Sequence, residues 1–480
     1  MPHWLEKFAA RPQRSILVLS LALLLAGNWI LPLTDRDETR FAEASREMIQ
    51  RGDFVVPWFN GAWRFDKPVL IYWCQIASYK ILGENDFAAR LPSVLFTVAT
   101  ALLVVRWGRK HADARTAFVA GAMFVAGLHI AIIGRVATAD MAMVFFFALA
   151  VWSGWELTRP EIPSRKGWWA VFYVTLALGF LAKGPVAWLP LGGMILGRMV
   201  RKNTFRLPLW ETVAGLILTI ALAACWGVPA LQQTHGQYFA VGMGEHVFHR
   251  STGVIDGHGL AGMLGFLALL PLYFVTFFAS FFPWSPRVPA ALRRWWPERK
   301  QDDWGWYLLV QAALVFIVFS LVKTKLPHYT LPAFPFLALW LARQISREPG
   351  SFVWFGRRLL AMTVAILFLT LGAFAVARNF LLTENLWQAV GSRVRPETKV
   401  ACLGYTEPSL VWKFRSITTN LVTLGDVSLA RDFLTNAPPF ILVLPTRDAA
   451  RLGMTNGLNL QARGLDLVKC KNWDLTAVLR

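Results

Sequence analysis

The chain has 480 residues, of which 55% are hydrophobic and only 16% charged, with 23 tryptophans and a formal net charge of +20. A soluble protein carries about a quarter charged residues, so this composition excludes an ordinary water-soluble globule. The positive charge lies in short clusters between apolar blocks, which excludes a nucleic-acid module and leaves membrane orientation and phosphate recognition as its uses.

The first apolar block, 16–33, follows Lys7, Arg11 and Arg14 and runs straight into the acidic residues from Asp35. With no small-x-small cleavage site behind it, the block is expected to be an uncleaved anchor with a cytoplasmic N-terminus. Further blocks follow at about 88–106, 115–133, 138–157, 168–182, 184–200, 208–230, 260–282, 304–322, 328–344 and 357–377, each near the ~20 residues that cross a bilayer core. The expected fold is therefore a polytopic, all-α membrane protein of about eleven transmembrane helices.

Alternate loops carry the basic residues, as cytoplasmic loops do. They are Arg106, Arg109, Lys110 and Arg115; Arg159, Arg165 and Lys166; Arg198, Arg201, Lys202 and Arg206; Arg287, Arg293, Arg294, Arg299 and Lys300; and Arg343, Arg347, Arg357 and Arg358. This pattern places the region 1–385 in the membrane and is expected to leave the tail, 390–480, outside the cytoplasm, which is the periplasm if the chain is bacterial.

Of the outer loops, 34–87 and 231–259 are long. The first balances acids and bases around Trp58, Trp63 and Trp73, and its stretches 38–51 and 69–82 have the spacing of helices lying in the interface. In the tail, short strands are predicted at 400–404, 421–424 and 440–444, with helices at 409–414, 428–434 and 447–452, which suggests a small α/β domain. Cys402 and Cys470 both fall there, either as a disulfide or as two buried thiols.

The residues that could do chemistry lie at outer membrane edges. The first loop supplies Asp35-Arg36-Asp37-Glu38-Thr39-Arg40, Gly52-Asp53 and Phe65-Asp66-Lys67-Pro68. Other edges supply Arg135 and Asp140, Lys183 before Gly184-Pro185, Glu245-His246 and His249-Arg250, and the run Lys323-Thr324-Lys325-Leu326-Pro327-His328-Tyr329. Each alone reads as a snorkelling anchor or a solvated face. Together they suggest a shared polar cavity roofed by the first loop. Arginine and lysine match phosphate oxygens, and a carboxylate beside bases stays ionised and suits a general base. The sequence contains no P-loop, dinucleotide fingerprint or nucleophilic Ser or Cys motif.

The run Asp37-Glu38-Thr39-Arg40-Phe41-Ala42-Glu43, with Phe65-Asp66-Lys67-Pro68, Lys183-Gly184-Pro185, Glu245-His246 and Lys325-Leu326-Pro327-x-Tyr329, resembles the GT-C polyprenyl-phosphate-sugar transferases. Among them it is most similar to the lipid A aminoarabinose transferases, relatives of the protein O-mannosyltransferases. The resemblance covers about 1–345. It implies an inverting transferase of the bacterial inner membrane that moves a sugar from a polyprenyl-phosphate donor to lipid A or another envelope glycolipid. Asp37, Glu38 and Asp140 would be the catalytic carboxylates. Arg40, Lys67, Lys183, Arg250, Lys325 and Tyr329 would hold the donor phosphate. No cofactor is implied for catalysis, and Asp66 with His246 matches a structural zinc pair. Aspartate stands at 66 where the family has glutamate, the arginine after Glu-His falls one place late at Arg250, and the spans number two fewer than in the arabinose transferases.

Protein hydroxyls or a cell-wall glycan remain open as acceptors. A flippase or transporter would place charges at span midpoints and show internal repeats. These span interiors are nearly free of charge and no repeat relates the halves.

Overall fold

The computed structural model describes residues 3–159, 164–200, 208–242, 244, 262–418, 421–435, 439–452, 458–466, 469 and 471–479. The chain divides into two compact units. The first comprises Met1–Ala26, Phe65–Ile71 and Leu91–Ile366; the second comprises Gly27–Arg64, Tyr72–Arg90 and Leu367–Arg480.

The first unit is helical. Among the described residues of the whole chain, five helices are long and apolar enough to cross a membrane: Asp86–His111, Asp140–Thr158, Leu209–Gln233, Asp303–Leu321 and the stretch Ser351–Phe380. The number rises to seven if two sharply bent pairs, Trp4–Ala10 with Pro12–Leu25 and Leu264–Ser280 with Ser285–Glu298, each count as one. Several apolar blocks are thus not single straight helices. The block at 115–133 splits into Ala114–Val125 and Leu128–Ile133. At that break the Trp284 indole donates to the Met123 carbonyl (2.9 Å), and the Leu128 amide donates to Phe282 (3.0 Å). Backbone groups freed from the helix therefore find partners, as an apolar setting demands. Pro185 opens a 3-10 turn, Pro185–Trp188, before Leu189–Val200. Pro327 opens another, Pro327–Ala333, before Phe334–Arg347. Proline lacks the amide that would continue an α-helix from the preceding residues.

Helices approach closely where a residue has no side chain. Gly215 packs against the ring of Tyr173, where an added Cβ would lie 2.1 Å from a ring carbon. Thr219 Oγ1, one turn on, donates to the Tyr173 carbonyl at 2.9 Å. Small residues at such crossings let dispersion and polar contacts hold helices that lipid cannot drive together.

The second unit combines parts of the first loop with the chain after 367. Helices Asp37–Arg51 and Leu70–Leu82 stand where the apolar spacing puts them. Between them a hairpin pairs β1 (Trp58–Phe59) with β2 (Ala62–Trp63) around Asn60-Gly61, both at positive φ, the conformation an Asn-Gly turn favours. A five-stranded sheet has the order β4-β3-β5-β7-β6, with β3 Lys399–Leu403, β4 Val422–Leu424, β5 Phe440–Pro445, β6 Leu458–Asp466 and β7 Lys471–Leu479. β4, β3 and β5 are parallel, whereas β7 is antiparallel to β5 and β6.

Alternation sorts the side chains. Val400, Cys402, Ile441 and Val443 pack on one face with Leu382, Leu386, Leu410 and Phe414. Ala401, Leu403, Leu442 and Leu444 pack on the other with Ala430 and Ala449. Period-two alternation predicts this division. Strands β6 and β7 were absent from the sequence-based expectation. β6 is an edge strand that exposes Asn459, Gln461 and Arg463 and buries Ala462, Gly464 and Asp466, small or polar residues that give a weak apolar signal.

Gly215→Val should overpack the contact with Tyr173 and cost about 1–3 kcal/mol. A lowered thermal midpoint of the detergent-solubilised protein would register it; an unchanged midpoint would mean that the two helices do not cross there.

Candidate functional site

The acidic run of the first loop presents three carboxylates in four residues, and the fold gives each a different setting. Glu38 is buried and forms a bidentate pair with Arg90, Nε to Oε1 and Nη2 to Oε2 both at 2.8 Å. It also accepts from the Thr34 amide and hydroxyl at 2.9 Å. Asp35 accepts from the Ser409 amide and hydroxyl, both at 2.6 Å. Burial pushes its carboxyl up to about 6, against the downward pull of the Ser409 bonds. Asp37, the first residue of its helix, is exposed and has no side-chain hydrogen bond or ion pair among the described residues. The geometry therefore separates Glu38, committed to a guanidinium, from Asp37, whose carboxylate is available to a ligand. Arg40, one turn on, is half-buried.

In the first unit a second group of predicted residues converges. Asp140 begins the helix Asp140–Thr158, and Lys183 ends Arg165–Lys183, where Gly184 at φ 80° turns the chain. Their side chains form a close, nearly buried ion pair. Thr138 Oγ1 donates to the other Asp140 oxygen at 2.8 Å, and His328 Nε2 stands 4.0 Å from the first. Lys183 Nζ also lies 5.5 Å from the centre of the Tyr329 ring, within the range of cation–π attraction. Tyr329 is edge-on to His328, with ring centres 5.2 Å apart. The structure thus brings Asp140, Lys183 and Tyr329 together. It adds Thr138 and His328, to which sequence reasoning assigned no role. His328 stood inside the quoted run, but nothing in its spacing announces a carboxylate partner far away in the chain.

Other predicted cations have partners of a different kind. Lys325 is buried and donates to the carbonyls of Phe319, at 3.1 Å, and Ser320, near the end of Asp303–Leu321. Arg135 donates to the carbonyls of Ala131, Ala26 and Leu23 at 2.5–3.0 Å. Both satisfy helix-end oxygens that otherwise lack donors. Lys67 Nζ donates to the Asp66 carbonyl at 3.0 Å, and the Tyr238 hydroxyl holds the Lys67 carbonyl at 2.6 Å. Glu245, His246, His249 and Arg250 lie outside the described residues, as does Cys470; Cys402 is a buried thiol. Among the described residues no three His, Cys, Asp or Glu side chains are grouped to hold a metal.

The model of the family "dolichyl-phosphate-mannose-protein mannosyltransferase" matches residues 66–228. An undecaprenyl phosphate-alpha-4-amino-4-deoxy-L-arabinose arabinosyl transferase from Pectobacterium atrosepticum is 31% identical over 356 residues, covering 71% of this chain and 60% of that protein. The chain thus spans about three-fifths of the length of that relative. An uncharacterised protein of Aquifex aeolicus is also 31% identical, over 69% of this chain and 73% of its own. The fold is similar to the crystal structure of ArnT from Cupriavidus metallidurans bound to undecaprenyl phosphate, with a TM-score of 0.79 at 15% identity over 96% of this chain and 97% of that one. It is similar at TM-score 0.51 and 12% identity to the oligosaccharyltransferase of Archaeoglobus fulgidus, over 90% of this chain and 67% of that one.

Two measurements test the sorting of the first-loop carboxylates. Glu38→Gln leaves a buried guanidinium short of its counter-ion and should cost about 3 kcal/mol or more, read as a lower thermal midpoint, whereas Asp37→Asn should leave that midpoint unchanged. Asp35 titrates near 6 in the folded chain against 3.8 for the ordinary group, so the folded state binds the extra proton between those values. Its contribution to stability therefore falls as pH rises from about 4 to about 6 and is level above. The wild-type midpoint should drop across that window by more than the midpoint of Asp35→Asn; equal slopes would refute the assignment.

Proposed function

Since this chain belongs to the GT-C family of the polyprenyl-phosphate aminoarabinosyl transferases and the protein mannosyltransferases, we propose that it transfers a sugar from a polyprenyl-phosphate carrier to an envelope acceptor. On this reading the chain crosses the bacterial inner membrane about eleven times. Its N-terminus is cytoplasmic, and the 390–480 α/β domain lies in the periplasm. The acceptor on this reading is lipid A or another envelope glycolipid, as the motif resemblance implies.

The observation that carries the reading is the availability of Asp37 beside two carboxylates already committed to protein partners. An acceptor hydroxyl attacks the anomeric carbon as the bond to phosphate breaks, inverting that centre. Asp37 receives the hydroxyl proton, and polyprenyl phosphate departs with its electron pair. A lipid A phosphate acceptor arrives already anionic and asks less of Asp37 as a base. Lys183 supports the negative charge that grows on the departing phosphate. Asp140 and His328 set the position of that ammonium, and Tyr329 lies against it. The family resemblance assigns Arg40, Lys67 and Arg250 to donor-phosphate binding as well. Glu38 acts by holding Arg90 and the loop, and Lys325 by closing the end of its helix. Catalysis requires no metal, and a zinc ion on Asp66 and His246 would be structural.

In vesicles supplied with radiolabelled polyprenyl-phosphate sugar, Asp37→Asn should insert normally and lose about 10³-fold in transfer, the scale of a removed general base. Lys183→Ala should raise KM for the donor and lower kcat, and a chelator should leave transfer intact. Full activity of Asp37→Asn would remove that residue from the reaction. The fraction that becomes labelled, whether glycolipid, glycan or protein, identifies the acceptor.

A further inference from the structure

Asp35 takes no part in the proposed chemistry, yet its carboxylate is tightly held. Besides the amide and hydroxyl of Ser409, both at 2.6 Å, Thr39 Oγ1 lies within 3.4 Å of it. Asp37 sits midway between Asp35 and Thr39, so this one carboxylate braces the backbone on both sides of it. Ser409 belongs to the helix Pro408–Phe414, which packs against the sheet through Leu410, Val411 and Phe414.

Further bonds tie the first loop to the same part of the C-terminal chain. Arg36 Nε reaches Glu407 at 3.5 Å, and Lys469 holds the other Glu407 oxygen at 2.6 Å. Asn60 and Leu421 exchange two hydrogen bonds, at 3.0 and 2.7 Å. The Trp412 indole donates to Asp86 at 2.7 Å, and the other oxygen of Asp86 accepts from the Leu33 amide at 3.3 Å. Across the sequence these bonds join Asp35, Arg36, Asn60 and Asp86 to residues 407–421.

An exposed carboxylate with no partner of its own takes its position from the backbone that carries it. Displacement by about 1 Å costs on the order of 10² in rate when the group must meet a reacting atom. We propose that Ser409 is a positioning residue for Asp37: by gripping Asp35 it fixes the loop from which Asp37 projects, which makes the C-terminal sheet a working part of the transferase. The inference rests on the reading of Asp37 as the catalytic carboxylate.

The test uses the full-length chain in vesicles with radiolabelled polyprenyl-phosphate sugar. Ser409→Ala should lower kcat about tenfold, with KM for the donor within about twofold and the thermal midpoint little changed; Ser409→Thr, which restores a hydroxyl, should recover most of the rate. Asp35→Ala with Ser409→Ala should be no worse than Asp35→Ala alone, because the two residues act through one contact. If Ser409→Ala does not insert, the isosteric Asp35→Asn reads the same division, with a smaller fall in kcat at constant KM. Wild-type kcat in these variants while Asp37→Asn is inactive overturns the positioning role and leaves the reading of Asp37 intact. An active Asp37→Asn overturns the reading itself. A loss of rate that follows loss of thermal stability and is not rescued by threonine makes the contact structural only and also overturns the proposal.

Discussion

The first long loop depends on one buried guanidinium. Arg90 gives two hydrogen bonds to Glu38 and three to the carbonyls of Asn28, Leu31 and Pro32, at 2.6–3.1 Å. A guanidinium has five N–H donors in a fixed plane, and here each meets an oxygen. The group is buried, so its charge could not be carried without Glu38, and the carbonyls at the end of the first apolar segment could not be left bare. One side chain therefore joins the end of that segment, the start of the acidic helix and the start of the next apolar helix. The ion pair around it leaves Asp37 as the carboxylate of the run with no such duty.

Polar groups in the helical unit follow the same rule through different chemistry. Arg135 and Lys325 spend their donors on carbonyls at helix ends and breaks, which is structural work in a setting with little water. Lys183 is instead paired with a carboxylate that Thr138 also holds, beside an imidazole and an aromatic ring. A lysine so placed has an anionic partner that a phosphate could share or replace. Cations with equal claims in the sequence thus differ in what their protein partners leave them able to do.

Much of the secondary structure was legible from the chain. Helices Asp37–Arg51 and Leu70–Leu82 follow from apolar residues at helical spacing, and β3 and β5 from short apolar runs. Breaks were less legible. The gap between Ala114–Val125 and Leu128–Ile133 is made possible by Trp284, a partner supplied from far along the chain. The edge strand β6 was missed because its buried positions include Gly464 and Asp466, where apolar residues would have marked a strand.

By itself the sequence determined the class of molecule and the list of groups able to do chemistry. Composition and hydropathy report the solvent a segment tolerates, and a family motif preserves residue types at fixed local spacing. Only the tertiary structure decided the division of labour within that list. Glu38 meets Arg90 across 52 residues, and Asp35 meets Ser409 across 374. Whether a carboxylate is bound to its own protein or open to a ligand depends on neighbours that no local pattern specifies.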